Sequence, residues 1–350
     1  MGRVLYKEII NDIEDMITRQ AFKDSRLPTE RNLAKKYGVS RVTTRLALNE
    51  LEKKDLIFRI QGKGTFIKEK TISSCSKNIA IIHSQYTASS DFFSSILHGV
   101  FTVNEKLKYN LNFFPFLQAE GELGEKSEFI EKIKEKKINI AVILSPLPKD
   151  FINWLVKNGI FTVTAGFAYE GAKINSIVPN NFKGGYLAAE YLINKGYKNI
   201  GIVLGPVTGE YGDVKGSSAI LRGYESALIK HKMIKNEKLI KKGSWDRKTI
   251  PEEVNDLLES KIDAVICGAE GLLKTVLGCF YDKVLRVPED INVVSFCPLE
   301  VAYPFTTVKI PVVQIGEAAV ILINSFANKG KTACQNIILE PELQTVEKVF

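Results

Sequence analysis

Apolar residues in the first seventy positions recur at helical spacing and then switch to short alternating runs. Leu5, Ile9, Ile13, Met16 and Ile17 form one stripe, which predicts a helix over residues 1–21. Pro28 and Thr29 open a second, short helix, with the Thr29 hydroxyl placed to cap it and Gly38 placed to end it. Ser40 caps a third that runs to about residue 53. On it Val42, Leu46, Leu48 and Leu51 fall near helical spacing, predicting a face turned to a small core, while Arg41, Thr44 and Arg45 fall on the other side. Two β-prone runs follow, 56–60 and 65–68. They are joined by Gln61-Gly62-Lys63-Gly64, which predicts a hairpin with a cationic tip. Helix, turn, helix and basic-tipped hairpin make an α+β winged helix-turn-helix.

The pattern changes after residue 68. The stretch EKTISSCSKN is polar, Ser-rich and without periodicity, so the boundary falls there: a head over 1–70, a linker over 71–77 and a second domain over 78–350. In that domain short apolar runs at 79–82, 111–117, 140–144, 160–165, 199–204 and 263–267 predict strands. They alternate with amphipathic stretches at 92–106, 125–136, 150–158, 183–195 and 219–231. This alternation predicts parallel sheets wrapped by helices. Some 270 residues is long for one doubly wound sheet, so two lobes with a cleft between them are expected.

Charge sharpens the division. Residues 1–70 carry sixteen Lys and Arg against ten Asp and Glu, a net +6 of the whole chain's +8. One fifth of the sequence thus holds most of the excess, the electrostatic footprint of a nucleic-acid-binding module on a nearly neutral partner. No apolar run reaches the ~18–20 residues that cross a bilayer. The N-terminus lacks the apolar core of a signal peptide, so a cytoplasmic protein without membrane contact is expected. The five cysteines are scattered and without a CxxC pair, which predicts reduced core thiols.

Catalytic signatures are missing. There is no GxxxxGK[ST] phosphate loop, no GxGxxG after a strand and no HExxH. His83, His98 and His231 lack metal-ligand spacing, and Ser217-Ser218 lacks a nucleophile-elbow context. Neither an enzyme nor a bound cofactor or metal is expected.

The motifs LPTERNLA, GVSRVTTR, LNELEKKDLI and QGKGTF resemble the DNA-binding domain of the GntR family of bacterial regulators. Carried over by position, that resemblance implies contacts to double-stranded operator DNA from Arg31, Ser40, Arg41, Thr43, Thr44 and Arg45. It adds Gln61, Gly62 and Lys63 in the wing. One departure stands out: Val42 and Leu46 occupy positions where smaller or charged residues are common. From residue 77 the chain resembles the effector domain of the LacI/GalR family, itself similar to periplasmic sugar-binding proteins. The matching pieces run from NIAIIHS and DFFSSILHGV through VPNNFKGGYLAAEYLINKGYKNIGIVLG and RGYESAL to DAVICGAEGLL, VPEDINVVSF and PFTTVKIPVVQIGEAAV. A GntR-type head on such a sensor is the architecture of AraR-like regulators.

That resemblance implies an α/β, two-lobed, periplasmic-binding-protein-like domain. Lobe 1 would span about 78–179 and 310–333, and lobe 2 about 180–309 and 334–350. The three crossings would lie near 179–181, 307–311 and 331–335. It further implies a homodimer, paired through regions such as 92–106 and 312–326, and a small-molecule effector held between the lobes. Phe92, Phe93, Asn181, Arg222, Trp245, Glu270 and Cys297 are the candidate contacts. Phe167, Ile220 and Cys297 replace polar groups common at sugar-contact positions, which keeps a non-sugar effector open beside a sugar. Asp213, Lys215, Arg222 and Glu270 are candidates for the missing polarity. A solute-binding protein is the alternative outside regulation.

Overall fold

The structure is a computed structural model that describes residues 2–18, 26–54, 56–60, 64–67, 77–84, 91–116, 128–169, 171–205, 216–243, 249–297, 305–329 and 333–345. Residues 1–75 form one compact unit, and nearly all of 76–350 forms another.

The head holds α1 (Gly2–Thr18), α2 (Glu30–Tyr37), α3 (Arg41–Lys53) and the antiparallel pair β1 (Ile57–Ile60) and β2 (Gly64–Ile67). Thr29 Oγ1 accepts from Asn32 N–H at 3.3 Å, and Ser40 Oγ accepts from Thr43 N–H at 3.1 Å, so each helix start has one of its orphan donors satisfied. Between them Gly38 takes φ +63°, the left-handed turn that glycine allows without strain. The core is Ile9, Ile10 and Ile13 of α1 packed on Leu33, Ala47, Leu48, Leu51 and Ile57.

The second unit contains two sheets. The first is built from β3 (Asn78–Ser84), α4 (Asp91–Leu107), β4 (Asn110–Phe116), α5 (Glu128–Glu135), β5 (Ile140–Ile143), α6 (Lys149–Lys157), β6 (Phe161–Ala165) and β7 (Asn175–Pro179). The second takes α7 (Asn181–Asn194), β8 (Ile200–Leu204), α8 (Gly216–Lys230), β9 (Ile240–Lys242), α9 (Ile250–Glu259), β10 (Ala264–Cys267), α10 (Glu270–Asp282), β11 (Asn292–Cys297) and β12 (Thr307–Lys309). The chain then returns to lobe 1 as α11 (Val312–Lys329) and β13 (Asn336–Leu339), and ends in lobe 2 with β14 (Glu342–Gln344).

Strand order is β13-β7-β6-β5-β3-β4 in the first sheet and β14-β12-β11-β10-β8-β9 in the second. Among these strands all pairings are parallel except β12 with β14. Helices on both faces explain why β5, β8 and β10 read as unbroken apolar runs with every residue buried.

Two expectations need correction. Because β13 pairs with β7 in the first sheet, the last crossing falls at Glu340-Pro341 rather than near 331–335. The strip from 334 to 339 therefore belongs to lobe 1, since a strand goes with the sheet that satisfies its backbone. Among the cysteines, Cys267 and Cys297 are buried and Cys279 is half-buried, but Cys334 is exposed and donates its thiol to Lys173 O at 3.1 Å.

The lobes share one packing device. In lobe 1, α4 and α11 cross at Gly99 and Gly316; in lobe 2, α7 and α8 cross at Gly185 and Gly223. At each of the four, an added Cβ would collide with a backbone carbonyl oxygen of the facing helix, so the helices lie backbone against backbone.

Candidate functional site

The head presents α3 by its N-terminal end. Arg41 is exposed, and Arg31 on α2 is exposed as well. The Arg45 side chain is 60% exposed, and its guanidinium forks onto Glu30, Nη2 at 3.0 Å and Nε at 3.3 Å from Oε2. That hydrogen-bonded carboxylate raises Arg45 above its ordinary pKa, so it stays cationic in water. Glu30 thereby fixes where the guanidinium sits before any ligand arrives. Ser40 and Thr43 join their hydroxyls at 2.9 Å, on the exposed lip of the same helix start. Gln61, Gly62 and Lys63 lie outside the described residues.

Two sequence expectations fail on α3 for one reason. Thr44 is fully buried and donates its hydroxyl to Ser40 O at 3.3 Å, so it packs in the head core and not on the exposed face that carries Arg41 and Arg45. Val42 and Leu46, expected in the core, are 67% and 53% exposed. The helix buries Thr44, Ala47, Leu48 and Leu51, a set of near-heptad spacing; at about 3.6 residues per turn, Val42 and Leu46 fall on the opposite side. Arg26 was not singled out by any pattern. Its guanidinium carbon lies 5.7 Å over the Phe66 ring at the foot of the hairpin, beside Gly64. Only its place just before Leu27-Pro28 could have hinted at this.

In the sensor four of the candidates, Phe92, Asn181, Glu270 and Cys297, follow or end the parallel strands β3, β7, β10 and β11 at their carboxyl ends, where open α/β sheets hold ligands. Asn181 starts α7 after β7, partly buried beside Gly216, the first residue of α8. Phe92 is half-buried against Gly166 at the end of β6, where an added Cβ would meet its ring at 2.8 Å. Phe93 turns inward instead: it is 6% exposed, its ring centroid 5.0 Å from that of His83 in an edge-on pair, because the helical register of α4 points it at the sheet. Arg222 stands on the exposed side of α8, whose buried side carries Ile220, Gly223 and Tyr224. Cys297 is buried at the end of β11. Trp245, Asp213 and Lys215 lie outside the described residues. Phe167 belongs to the lobe 1 core, edge-on to Tyr169 at 5.5 Å, and Ile220 is 4% exposed.

One arrangement was not visible in the sequence. Asp91 opens α4 in lobe 1, and Glu270 opens α10 in lobe 2. Lys274 Nζ lies 3.8 Å from Asp91 Oδ2 and 3.5 Å from Glu270 Oε1, so the two lobes meet through these three side chains. The Glu270 side chain is only 10% exposed. Burial first, and then the Asp91 carboxyl beside it, push Glu270 above its ordinary pKa of 4.5, while Lys274 pulls the other way.

The sign of the consequence follows from linkage. A carboxyl whose pKa is raised by folding stabilises this arrangement in its protonated form, and that contribution is lost as pH rises from 4.5 through the raised value. Glu270→Gln keeps the neutral form at every pH. Thermal unfolding of the two proteins should therefore diverge with rising pH, the variant becoming the more stable. Parallel curves from pH 4.5 to 7.5 would show that the pair is not strained.

Fold and site together define a DNA-binding transcription regulator, with a winged-helix head and a two-lobed sensor. Residues 5–67 match the family of bacterial regulatory proteins, gntR family, and residues 189–345 match the periplasmic binding protein-like domain. The arabinose metabolism transcriptional repressor of Geobacillus stearothermophilus is 27% identical, with 97% of this chain and 94% of that one covered. The HTH-type transcriptional repressor PurR of Aliivibrio salmonicida is also 27% identical, over 68% of this chain and 72% of its own. Among solved structures, the transcriptional regulator CelR–cellobiose complex superposes with TM-score 0.65 at 19% identity, covering 91% of this chain and 99% of that one. At that identity the likeness concerns the fold.

Proposed function

We propose that the protein is a repressor that binds a pseudo-palindromic operator as a homodimer and whose grip is set by a small effector between the sensor lobes. The observation that carries this is the exposed cationic start of α3, Arg41 and Arg45, on a chain whose second unit joins two lobes through Asp91, Glu270 and Lys274. Arg31 and the wing residues 61–63 would add phosphate and groove contacts. A change in lobe angle would alter the spacing of two heads and so the fit to two half-sites.

A sugar or sugar derivative is the effector class favoured, since relatives spanning head and sensor are named arabinose metabolism repressors and a solved relative is a cellobiose complex. Asn181, Glu270 and Asp91 would supply hydrogen bonds, with Phe92 and Trp245 as apolar faces. A non-sugar effector is the second reading, favoured by the burial of Phe167, Ile220 and Cys297 at positions the resemblance makes polar. Pairing would use α4 and α11, where Phe101 and Ile321 are 48% and 58% exposed.

Thermal shift of the full chain against sugars, sugar phosphates and small aromatic metabolites separates the two readings. A sugar should raise the melting temperature and alter retardation of a promoter fragment at the same concentrations. Stabilisation by non-sugars alone would reject the sugar reading. Binding of any duplex that vanishes at physiological salt would reject operator recognition.

A further inference from the structure

The strongest unexplained feature of the head is apolar. Val42 and Leu46 are 67% and 53% exposed on a helix whose core side is already filled by Thr44, Ala47, Leu48 and Leu51. They stand one turn apart on the same side and so form a single small patch. Arg41 precedes the patch and Arg45 lies within it in sequence, both exposed. A protein partner would have to meet this apolar spot beside two cations, Arg41 and Arg45. A polyanion whose surface also carries isolated methyl groups fits both features.

Duplex DNA has that surface in one place. In the major groove the thymine C5-methyl is the apolar element of the base edges, whereas guanine, cytosine and adenine offer donors and acceptors. An aliphatic side chain pressed on those polar atoms would strip them of water and return no hydrogen bond. We propose that Val42 and Leu46 are specificity-determining residues that seat thymine methyls beside the bases gripped by Arg41 and Arg45. The inference rests on the DNA-binding reading and deepens it. Residues four apart on a helix are separated by about 6 Å along its axis, close to two base-pair steps of about 3.4 Å. The thymines read this way therefore fall within one three-base-pair stretch of each half-site.

The test begins with selection of randomised duplexes by the full-length chain. In the enriched operator each thymine is replaced singly by deoxyuridine, which removes the methyl and leaves every hydrogen-bonding group. At one or two positions per half-site the dissociation constant should rise about three- to tenfold, the worth of one buried methyl contact. The same replacements should be silent for the Val42→Ala/Leu46→Ala protein. Both side chains are exposed, so that variant should fold, and its unchanged circular-dichroism melt confirms it. Silence of deoxyuridine at every position with the unsubstituted protein overturns the proposal. So does a loss that persists in the double variant. Failure to enrich any duplex overturns the underlying DNA reading instead, and the two failures are therefore distinguishable.

Discussion

Replacing Arg41 and Arg45 together with alanine is expected to weaken operator binding by about 30- to 10⁴-fold, because each guanidinium that grips a guanine bidentately contributes roughly 1–3 kcal/mol. The range is wide for a structural reason. Arg45 is already forked onto Glu30, so part of what it gains on DNA is offset by that ion pair, whereas Arg41 is exposed and carries no such ion pair among the described residues. The loss should be larger for the selected operator than for unrelated duplex, since the phosphate contacts proposed for Arg31 and residues 61–63 would remain. Fluorescence anisotropy at fixed salt measures both. Thr44→Val is the matched control: its hydroxyl is buried against Ser40 O, so the operator affinity should stay near that of the unsubstituted protein. Unchanged operator binding after loss of both arginines would remove α3 from the interface.

Gly185→Ala, like a methyl at any of the four crossing glycines, should be strongly damaging to the sensor. The Cβ would collide with the Ile220 carbonyl oxygen, and because Gly223 lies against Phe182 in the same crossing, α7 and α8 cannot slide apart locally. Backbone carbonyls do not swing aside as flexible side chains do. The cost should therefore reach or exceed about 3 kcal/mol, the upper part of the usual overpacking range. In a domain of this size that lowers the melting temperature by roughly 5 °C or more. Gly99→Ala should do the same in lobe 1, where Gly99 and Gly316 make the equivalent crossing. Gly278, inside α10, has nothing within reach of an added Cβ, so Gly278→Ala serves as the control and should leave the melt in place or raise it slightly. Equal melts for Gly185→Ala and Gly278→Ala would mean that the helices tolerate separation.

Local chemistry was legible without coordinates. Thr29, Gly38 and Ser40 act on backbone groups two or three residues away, so the composition of a short window settles them. The same holds for β5, β8 and β10, whose uniform apolar runs are too short for buried helices and fit strands covered on both faces. The charge division between head and sensor, and the order of alternating strands and helices, were legible for the same reason: each is additive along the chain.

Orientation was not. Whether Val42 or Thr44 faces inward depends on how α1 and β1 pack around α3, and both residues suit a helix at either place. Phe93 and Phe167 looked available to a ligand because adjacency to a strand end does not say which way a ring turns; the lobe 1 core claims both. The last crossing depended on which sheet offered β13 its hydrogen bonds, a contact between residues about 160 positions apart. Asp91 and Lys274 are unremarkable charges in the linear order and Glu270 stood out only through the resemblance; the meeting of the two lobes makes the three neighbours. Interactions that reach a few residues can be read from the chain, while those that need two distant surfaces to arrive at one point exist only once it has folded.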